Sequence, residues 1–186
     1  ADLGRAGDEP FLLLASLGWD AAIAAHVGGR LKRALGPGAY VLQAALRAPW
    51  MHPRQLKWSD DHGPHEADVA LMVIGNSRLY GGVVSFTPGA CADDGLLDAC
   101  VLGPAQRGDG LRLAAKLGLR RLAGDPCVLC SQSARYVIET AGVPLEVDGD
   151  VVGTSPVEVR VEPRALLVSV PAGAPPAIFN PPREPA

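Results

Sequence analysis

Two short acidic turns contain the residue types in this chain that could carry out chemistry. The first is Asp93-Asp94-Gly95, and the second is Asp148-Gly149-Asp150. Glycine allows a tight turn with a positive φ, and neighbouring carboxylates are hard oxygen ligands suited to Mg²⁺ or Ca²⁺. A carboxylate held at such a turn can also accept the proton of a substrate hydroxyl. The two turns together predict a metal-assisted site that activates a hydroxyl group.

Each turn also has a plain structural interpretation. Asp-Gly is the strongest short hairpin signal, so Asp148-Gly149-Asp150 taken alone is typical of a turn between two strands. Asp93-Asp94-Gly95 taken alone is typical of a solvated turn that leads into a strand. An EF-hand loop is excluded there, because the alternating ligands and the glutamate at the twelfth position are missing.

Two other clusters contain residue types that are common in functional sites. Cys127 and Cys130 have the spacing of zinc ligands, and His62 and His65 could complete a set of four. The cysteines lie in an apolar run, however, where small buried thiols are common. Redox chemistry at this pair is not favoured, because no helix N-terminus follows to lower a thiol pKa.

The second cluster is basic. Arg112, Lys116 and Arg120 recur every four residues and predict one charged face of a helix. Such a helix could lie on a membrane surface, although an ordinary solvated face over a core is the more common arrangement.

The composition limits the class of protein. A chain of 186 residues can form one domain with a real core, and a formal charge of −3 gives no electrostatic basis for binding nucleic acid. The apolar run at Val69–Ile74 is too short to span a bilayer. The four cysteines are expected to be reduced, as in a cytoplasmic protein. Because the chain begins with Ala1, we expect a fragment of a longer protein.

The pattern of short apolar segments predicts a mainly β (α+β) domain, an antiparallel sandwich or barrel, with two or three helices. Helices are predicted after Trp19, from Pro37 and over Gly110–Ala123. From Pro171 onward the chain is rich in proline and alanine and is predicted to be a tail. The predicted strands are Phe11–Ala15, Gln55–Trp58, Ala67–Ile74, Asp98–Leu102, Cys127–Cys130, Arg135–Glu139, Pro144–Val147, Val157–Val161 and Leu166–Val170.

Several segments, read in order, resemble one family. They are Asp2-Leu3-Gly4, Phe11 to Ala21, Asn76, Gly81-Gly82, Pro88, Asp93 to Asp98, Val147-Asp148-Gly149-Asp150 and Glu162 to Leu166. Their order resembles the C-terminal domain of bacterial diacylglycerol kinase-like lipid kinases, which are related to sphingosine kinases and more distantly to NAD kinases. The run from Asp93 to Asp98 favours the lipid branch over NAD kinase.

This resemblance implies an antiparallel β-sandwich-like C-terminal domain of the NAD kinase/diacylglycerol kinase-like fold. It assigns residues 1–171 to that domain and residues 172–186 to the tail. The N-terminal domain that binds ATP in this family is expected to be absent from this chain. That absence would explain why no Gly-rich phosphate loop follows a strand and opens a helix.

The resemblance also implies roles for individual residues. Asp94 would bind Mg²⁺ through its carboxylate, helped by the backbone carbonyls of Cys91 and Leu96. Asp150 takes the position of the family's catalytic glutamate, the base for the lipid hydroxyl, and is one methylene shorter. Asp148 would lie beside it and orient the site.

We therefore expect one domain of an ATP- and Mg²⁺-dependent kinase for diacylglycerol or a similar lipid, inactive without its N-terminal domain. It would work in the cytoplasm at the inner membrane face, with transient membrane contact, no nucleic acid partner and a possible homodimer. One alternative is a lipid-binding or regulatory module of the same fold that has lost catalysis. Another is a structural β-sandwich that binds Ca²⁺.

Overall fold

The computed structural model describes residues 1–18, 53–78, 85–103, 112–113, 115–116 and 125–169. The strands of this part form two six-stranded antiparallel sheets. In chain order they are β1 (Leu3–Ala6), β2 (Glu9–Phe11), β3 (Leu14–Gly18), β4 (Arg54–Asp60), β5 (Gly63–Val69), β6 (Leu71–Gly75), β7 (Leu97–Leu102), β8 (Val128–Ser133), β9 (Arg135–Ile138), β10 (Pro144–Val147), β11 (Asp150–Thr154) and β12 (Val157–Glu162). The first sheet has the order β2-β1-β12-β9-β4-β5, and the second has the order β11-β10-β3-β6-β7-β8. The prediction of a mainly β, sandwich-like domain is confirmed.

The main core lies between the two sheets. Successive side chains of a strand point to opposite faces, so β12 directs Val159 and Val161 inward while Glu162 faces outward and pairs with Arg5. The largest fully buried side chains of this layer include Phe11, Tyr136, Met72, Ile74 and Leu97.

The second sheet is covered by apolar side chains on both faces. Its outer face forms a second cluster whose members are Leu14, Leu71, Val73, Cys100, Leu102, Leu113 and Val128. Because of this double cover, every residue of β6 and β7 is buried. Such strands have an almost continuous apolar sequence instead of an alternating one.

Two predicted strands are each divided between the sheets. The run Ala67–Ile74 ends β5 at Val69 and begins β6 at Leu71, and Ala70 joins them and donates its N–H to the carbonyl of Leu102 over 2.9 Å. Phe11–Ala15 is divided in the same way. The crossings lie within Val69–Ile74 and Phe11–Ala15, which are both apolar throughout, so no local pattern marks where the chain passes from one sheet to the other. The prediction of single strands was wrong.

The prediction of β10 at Pro144–Val147 coincides with the structure. Leu166–Val170 was predicted as a strand, but its described part, to residue 169, is not one. Ala1 and Leu166 instead exchange two backbone hydrogen bonds of 2.7 and 3.0 Å. The sequence reading missed β1, β2 and β11.

The helices predicted after Trp19 and from Pro37, and the tail at 172–186, lie outside the described residues. Residues 112–113 and 115–116, from the helix predicted over Gly110–Ala123, are helical. Among the residues with described structure, none belongs to a helix long and apolar enough to cross a membrane.

Candidate active site

Asp148 and Gly149 form the turn of a tight hairpin between β10 and β11. Their φ angles are 49° and 103°, and two positive angles in a row define the turn type whose twist matches antiparallel strands. Asp150 opens β11 and pairs with Val147. The hairpin interpretation is therefore right about local structure. It leaves Asp150 exposed on a strand at the edge of the second sheet.

The carboxylate of Asp148 fastens this turn to the segment that crosses between the sheets. Its Oδ2 accepts the N–H of Leu12 at 2.7 Å, and its Oδ1 accepts those of Leu13 and Leu14 at 2.9 and 3.0 Å. The N–H of Asp148 also donates to the carbonyl of Leu14 over 3.0 Å. Because its carboxylate accepts three backbone N–H groups, Asp148 stabilises the local backbone and fixes the position of the turn.

A register shift lies next to Asp150. Leu145 pairs with Gly153 and Glu146 pairs with Val151, which leaves Val152 as the extra residue of a β-bulge. Bulges bend a strand and increase its local twist. The direction of the Asp150 side chain is thus set by the bulge on one side and the turn on the other.

Asp94 lies in the other acidic turn, where its Oδ1 accepts the N–H of Leu96 over 3.0 Å. Gly95 has φ 75°, a conformation that side chains other than glycine rarely adopt. Burial, and then the charges of Asp2 and Asp93, raise the pKa of the Asp94 carboxyl. A bound cation would lower this pKa, and carboxylate oxygens are the ligands that hard cations prefer.

The described residues contain no group of three or more His, Cys, Asp or Glu side chains able to hold a metal ion. A cation at Asp94 would therefore bind one carboxylate together with backbone carbonyls and water. Mg²⁺ is commonly bound in this way, through one or two carboxylates and several retained waters. The roles of the Cys91 and Leu96 carbonyls remain predictions.

Asp2 holds this turn in place, a role that sequence reasoning missed. Its Oδ2 accepts the N–H of Gly95 at 2.7 Å, and its Oδ1 accepts that of Arg164 at 2.8 Å. Its own N–H donates to the carbonyl of Ala92 over 2.7 Å. Asp2 is only 2 % exposed. The one available signal was its place in the Asp2-Leu3-Gly4 run, which says nothing about a contact so distant in sequence.

Asn76 connects Asp2 to the hairpin. Its Nδ2 donates to the carbonyls of Asp2 and Leu12, both at 3.1 Å, and the side chain is buried. Its Oδ1 is buried and has no hydrogen-bond partner among the residues that the structure describes. The two acidic turns therefore belong to one hydrogen-bonded unit, which runs through Gly95, Asp2, Asn76, Leu12 and Asp148.

The zinc interpretation is not supported. The Nε2 atom of His65 lies 2.9 Å from Oδ1 of Asp60, and that of His62 lies 3.0 Å from the carbonyl of Gln132. Cys127 contacts Arg112. Cys130 lies opposite Cys100 on the neighbouring strand. The four predicted ligands thus have separate partners.

The predicted basic helix face is partly neutralised. Arg112 and Lys116 both donate to Oδ2 of Asp125, Lys116 over 2.6 Å, and Asp125 is 2 % exposed. These contacts fasten the helical segment to the chain just before β8. The charged groups of Arg112 and Lys116 are thus paired within the domain, which weakens the interpretation of this helix as a membrane-binding surface. Arg120 lies outside the described residues.

Replacing Asp125 with asparagine should lower the unfolding free energy by about 2 kcal/mol at pH 7, the usual scale for hydrogen bonds to charged groups. Lys116, then the N–H of Cys127 and Arg112, lower the pKa of the Asp125 carboxyl. A group whose pKa falls on folding stabilises the protein above its unfolded pKa of about 3.9, and this contribution is lost as the pH falls through the folded value. Urea titrations from pH 7 downward should show wild type and variant converging below about pH 4. Glu139→Gln, at an exposed carboxylate, serves as the control, and an equal loss there would contradict the assignment.

Comparison with known proteins agrees with this fold. Residues 14–170 match the family model of the YegS C-terminal NAD kinase beta sandwich-like domain. A protein named "Probable lipid kinase YegS-like" from Pseudomonas aeruginosa PAO1 is 32 % identical over 98 % of this chain and 60 % of its own length. A protein of the same name from Pseudomonas putida KT2440 is 29 % identical over 94 % of this chain and 57 % of its own length.

A solved structure described as "a putative diacylglycerol kinase from Bacillus anthracis str. Sterne" superimposes with a TM-score of 0.68. It covers 87 % of this chain and 53 % of that protein at 20 % identity, a level that supports the fold alone. The chain thus spans 57 to 60 % of the length of these two curated relatives. The match over residues 14–170 confirms the predicted resemblance. The chain belongs to the YegS C-terminal NAD kinase beta sandwich-like domain family.

Proposed function

We propose that this chain is the acceptor-side domain of an ATP- and Mg²⁺-dependent kinase that phosphorylates a hydroxyl of diacylglycerol or a similar lipid. The main support is the hydrogen-bonded unit that joins the Asp94 turn to the Asp148–Asp150 hairpin. The carboxylate of Asp94, which is suited to bind a cation, and that of Asp150, which is suited to bind a hydroxyl, are therefore held by the same hydrogen-bonded unit. The names of the relatives favour a lipid acceptor.

Asp150 is the proposed base. Its side chain is exposed at the start of β11, whereas Asp148 is engaged with three backbone N–H groups. In the proposed reaction Asp150 orients the acceptor hydroxyl and takes its proton, while the hydroxyl oxygen attacks the γ-phosphorus of ATP and ADP leaves. Positioning of this kind, together with charge stabilisation, accounts for most catalysis of phosphoryl transfer.

Asp94 is the proposed Mg²⁺ ligand, with the carbonyls of Cys91 and Leu96. When bound, the ion would neutralise charge that develops on the transferred phosphoryl group. Asp2 would keep the Asp94 turn in place. As the family resemblance implies, ATP would be bound mainly by an N-terminal domain ahead of these residues.

The surroundings of the hairpin support an apolar acceptor. Leu12 is 54 % exposed and Val151 is 50 % exposed. The N–H of Leu12 donates to Asp148, and Val151 directly follows Asp150. Exposed aliphatic side chains therefore lie on the two segments that flank the proposed base, as expected for a hydroxyl carried on an apolar molecule at a membrane surface. These exposed side chains also support transient contact with a membrane surface, and we propose that the enzyme works in the cytoplasm at the inner membrane face.

The direct test is a phosphoryl-transfer assay of the full-length protein with labelled ATP, Mg²⁺ and diacylglycerol in mixed micelles. We expect label in the lipid phase, none with EDTA, and none when glycerol replaces the lipid. Phosphorylation of NAD in place of the lipid would reject the proposal in favour of the NAD kinase branch.

Replacing Asp94 with asparagine should raise the Mg²⁺ concentration needed for half-maximal activity by about 10- to 100-fold, the scale seen when metal-site carboxylates are disturbed. Asp93→Asn removes the same charge from the exposed neighbour and should shift that concentration far less. Equal shifts for the two variants would show that the Mg²⁺ requirement depends on the total charge of the turn and not on Asp94 as a ligand. If Ca²⁺ raises the melting temperature of this chain more than Mg²⁺ does, the structural Ca²⁺ alternative is favoured instead.

A second candidate is a lipid-binding module of the same fold without catalysis. The shorter Asp150 at the position of the expected glutamate favours it, because a misplacement of about 1 Å can cost roughly a hundredfold in rate. Vesicles containing diacylglycerol would then retain the protein, while no phosphate would be transferred.

A further inference from the structure

Cys100 and Cys130 lie directly opposite each other in the antiparallel pair of β7 and β8. Directly opposed residues of such a pair have Cα atoms about 4.5 to 5.5 Å apart. A disulfide needs a Cα separation of about 4.4 to 6.8 Å. The backbone of this pair is therefore already within the range that a disulfide requires.

The neighbouring rung of the same ladder shows that side chains meet on this face. Asp98 lies opposite Gln132, and the Nε2 of Gln132 donates to Oδ2 of Asp98 over 3.1 Å. Cys100 and Cys130 are two residues further along their strands, and hence on the same face. The two thiols are close enough for each to shift the pKa of the other.

The two thiols have unequal surroundings. Cys100 is 1 % exposed within the outer apolar cluster, whereas Cys130 is exposed on β8, at the edge of the second sheet. The hydrogen bond from Cys100 lowers the pKa of Cys130 to about 7, against the opposing effects of burial and of Asp98. The same hydrogen bond, with burial, raises the pKa of Cys100. Cys130 is thus the accessible thiol of the pair and the one whose pKa is lowered, which favours it as the nucleophile, and Cys100 is the buried partner on the opposing strand.

We propose that Cys100 and Cys130 form a redox site that closes reversibly into a cross-strand disulfide on reaction with hydrogen peroxide. The thiolate of Cys130 attacks one peroxide oxygen, the O–O bond breaks, and hydroxide leaves; Cys130 becomes a sulfenic acid. The sulfur of Cys100 then attacks the sulfenic sulfur, and the S–O bond breaks as the S–S bond forms. With the Cys100 proton, the departing oxygen leaves as water. Two thiols are oxidised while one peroxide is reduced to two waters.

The other two cysteines are placed differently. Cys91 is buried, accepts a hydrogen bond from Arg78 over 3.2 Å, and has a pKa raised chiefly by burial. Cys127 is half-buried beside Arg112. The sequence spacing suggested Cys127 as the partner of Cys130. In the structure the residue opposite Cys130 is Cys100, on the adjacent strand.

Closure of the disulfide would join β7 to its edge strand beside the Asp98–Gln132 rung. Asp98 lies near the start of β7, the strand that follows the Asp94 turn. The redox site is therefore close to the candidate active site but does not use its residues. The inference is independent of lipid kinase activity.

The test uses the full chain treated with a small excess of hydrogen peroxide at neutral pH, followed by alkylation, proteolysis and mass mapping. We expect one disulfide, between Cys100 and Cys130, that dithiothreitol reverses. Cys100→Ser should leave Cys130 to accumulate as sulfinic acid, and Cys130→Ser should leave the buried Cys100 reduced. Cys127→Ser is the matched control and should still form the disulfide. Sulfinic acid at Cys130 of the wild type beside a free Cys100 thiol would overturn the proposal.

A second measurement does not depend on oxidation. Iodoacetamide at pH 7 should alkylate Cys130 about tenfold faster than Cys127, because Cys130 is exposed and has a lowered pKa whereas Cys127 is half-buried. The Cys100→Ala variant, which removes the hydrogen-bond donor, should lose most of this advantage if it retains the wild-type circular dichroism spectrum. Equal rates at Cys130 and Cys127 in the wild type would also contradict the proposal.

Discussion

Replacing Asp150 with asparagine is expected to lower kcat for lipid phosphorylation by about 10²- to 10⁴-fold, the usual contribution of a general base. Asparagine has nearly the same size and cannot accept the proton of the acceptor hydroxyl. The turn itself should survive, because Asp148 and Gly149 keep their positive φ angles and Asp148 keeps its three backbone donors. KM for the lipid should therefore change little. Initial rates over a range of lipid concentrations separate the two constants.

Two variants control for this prediction. Asp68→Asn removes an exposed carboxylate from β5 in the other sheet and should leave kcat unchanged. Asp150→Glu keeps a carboxylate and restores the length of the family's glutamate, so it should retain activity. If Asp150→Asn performs as well as Asp68→Asn, then Asp150 is not the base.

Replacing Asp2 with alanine is expected to lower the unfolding free energy by about 3 to 5 kcal/mol. The change leaves the N–H groups of Gly95 and Arg164 without the buried carboxylate they bind, and each unpaired donor costs about 1 to 3 kcal/mol. A domain with about 5 to 15 kcal/mol of stability would lose a large share. Denaturant titration of the full chain measures the loss through the transition midpoint at constant slope.

The matched control is Asp8→Ala, which truncates an exposed aspartate in the turn between β1 and β2. Its effect should stay within about 0.5 kcal/mol, as for most surface positions. Hydrogen exchange adds a local readout, because the amide of Gly95 should lose protection in Asp2→Ala and keep it in Asp8→Ala. A Gly95 amide as protected as in wild type would show that Asp2 does not hold the Asp94 turn.

Much of the hairpin could be predicted from residues that are adjacent in the sequence. Pro144–Val147 is a short, mainly apolar run, and Asp-Gly follows it, so both strand and turn could be predicted from a few adjacent residues. Asp150 and Asp94 were identified as candidates because acidic residues around a glycine are visible in sequence, and the family resemblance then gave each a role.

Long-range contacts could not be predicted in this way. Asp2 contacts Gly95 and Arg164, and Asn76 contacts Leu12, through pairings that no local pattern specifies. Ala70 marks a change of sheet inside a run that is apolar on both sides, because both cores require the same residue types. The pairing of Cys130 with Cys100 depends on the register of β7 and β8, whereas sequence spacing pointed to Cys127.

The paired backbone bonds between Ala1 and Leu166 determine where the chain enters the domain. Asp2, the next residue, binds the N–H of Gly95, so any polypeptide joined ahead of Ala1 must emerge beside the Asp94 turn. A short tether keeps what it carries at an effective concentration in the millimolar range. A nucleotide-binding domain attached there would remain next to the acidic turns between catalytic cycles, even through an interface too weak to hold two separate proteins together.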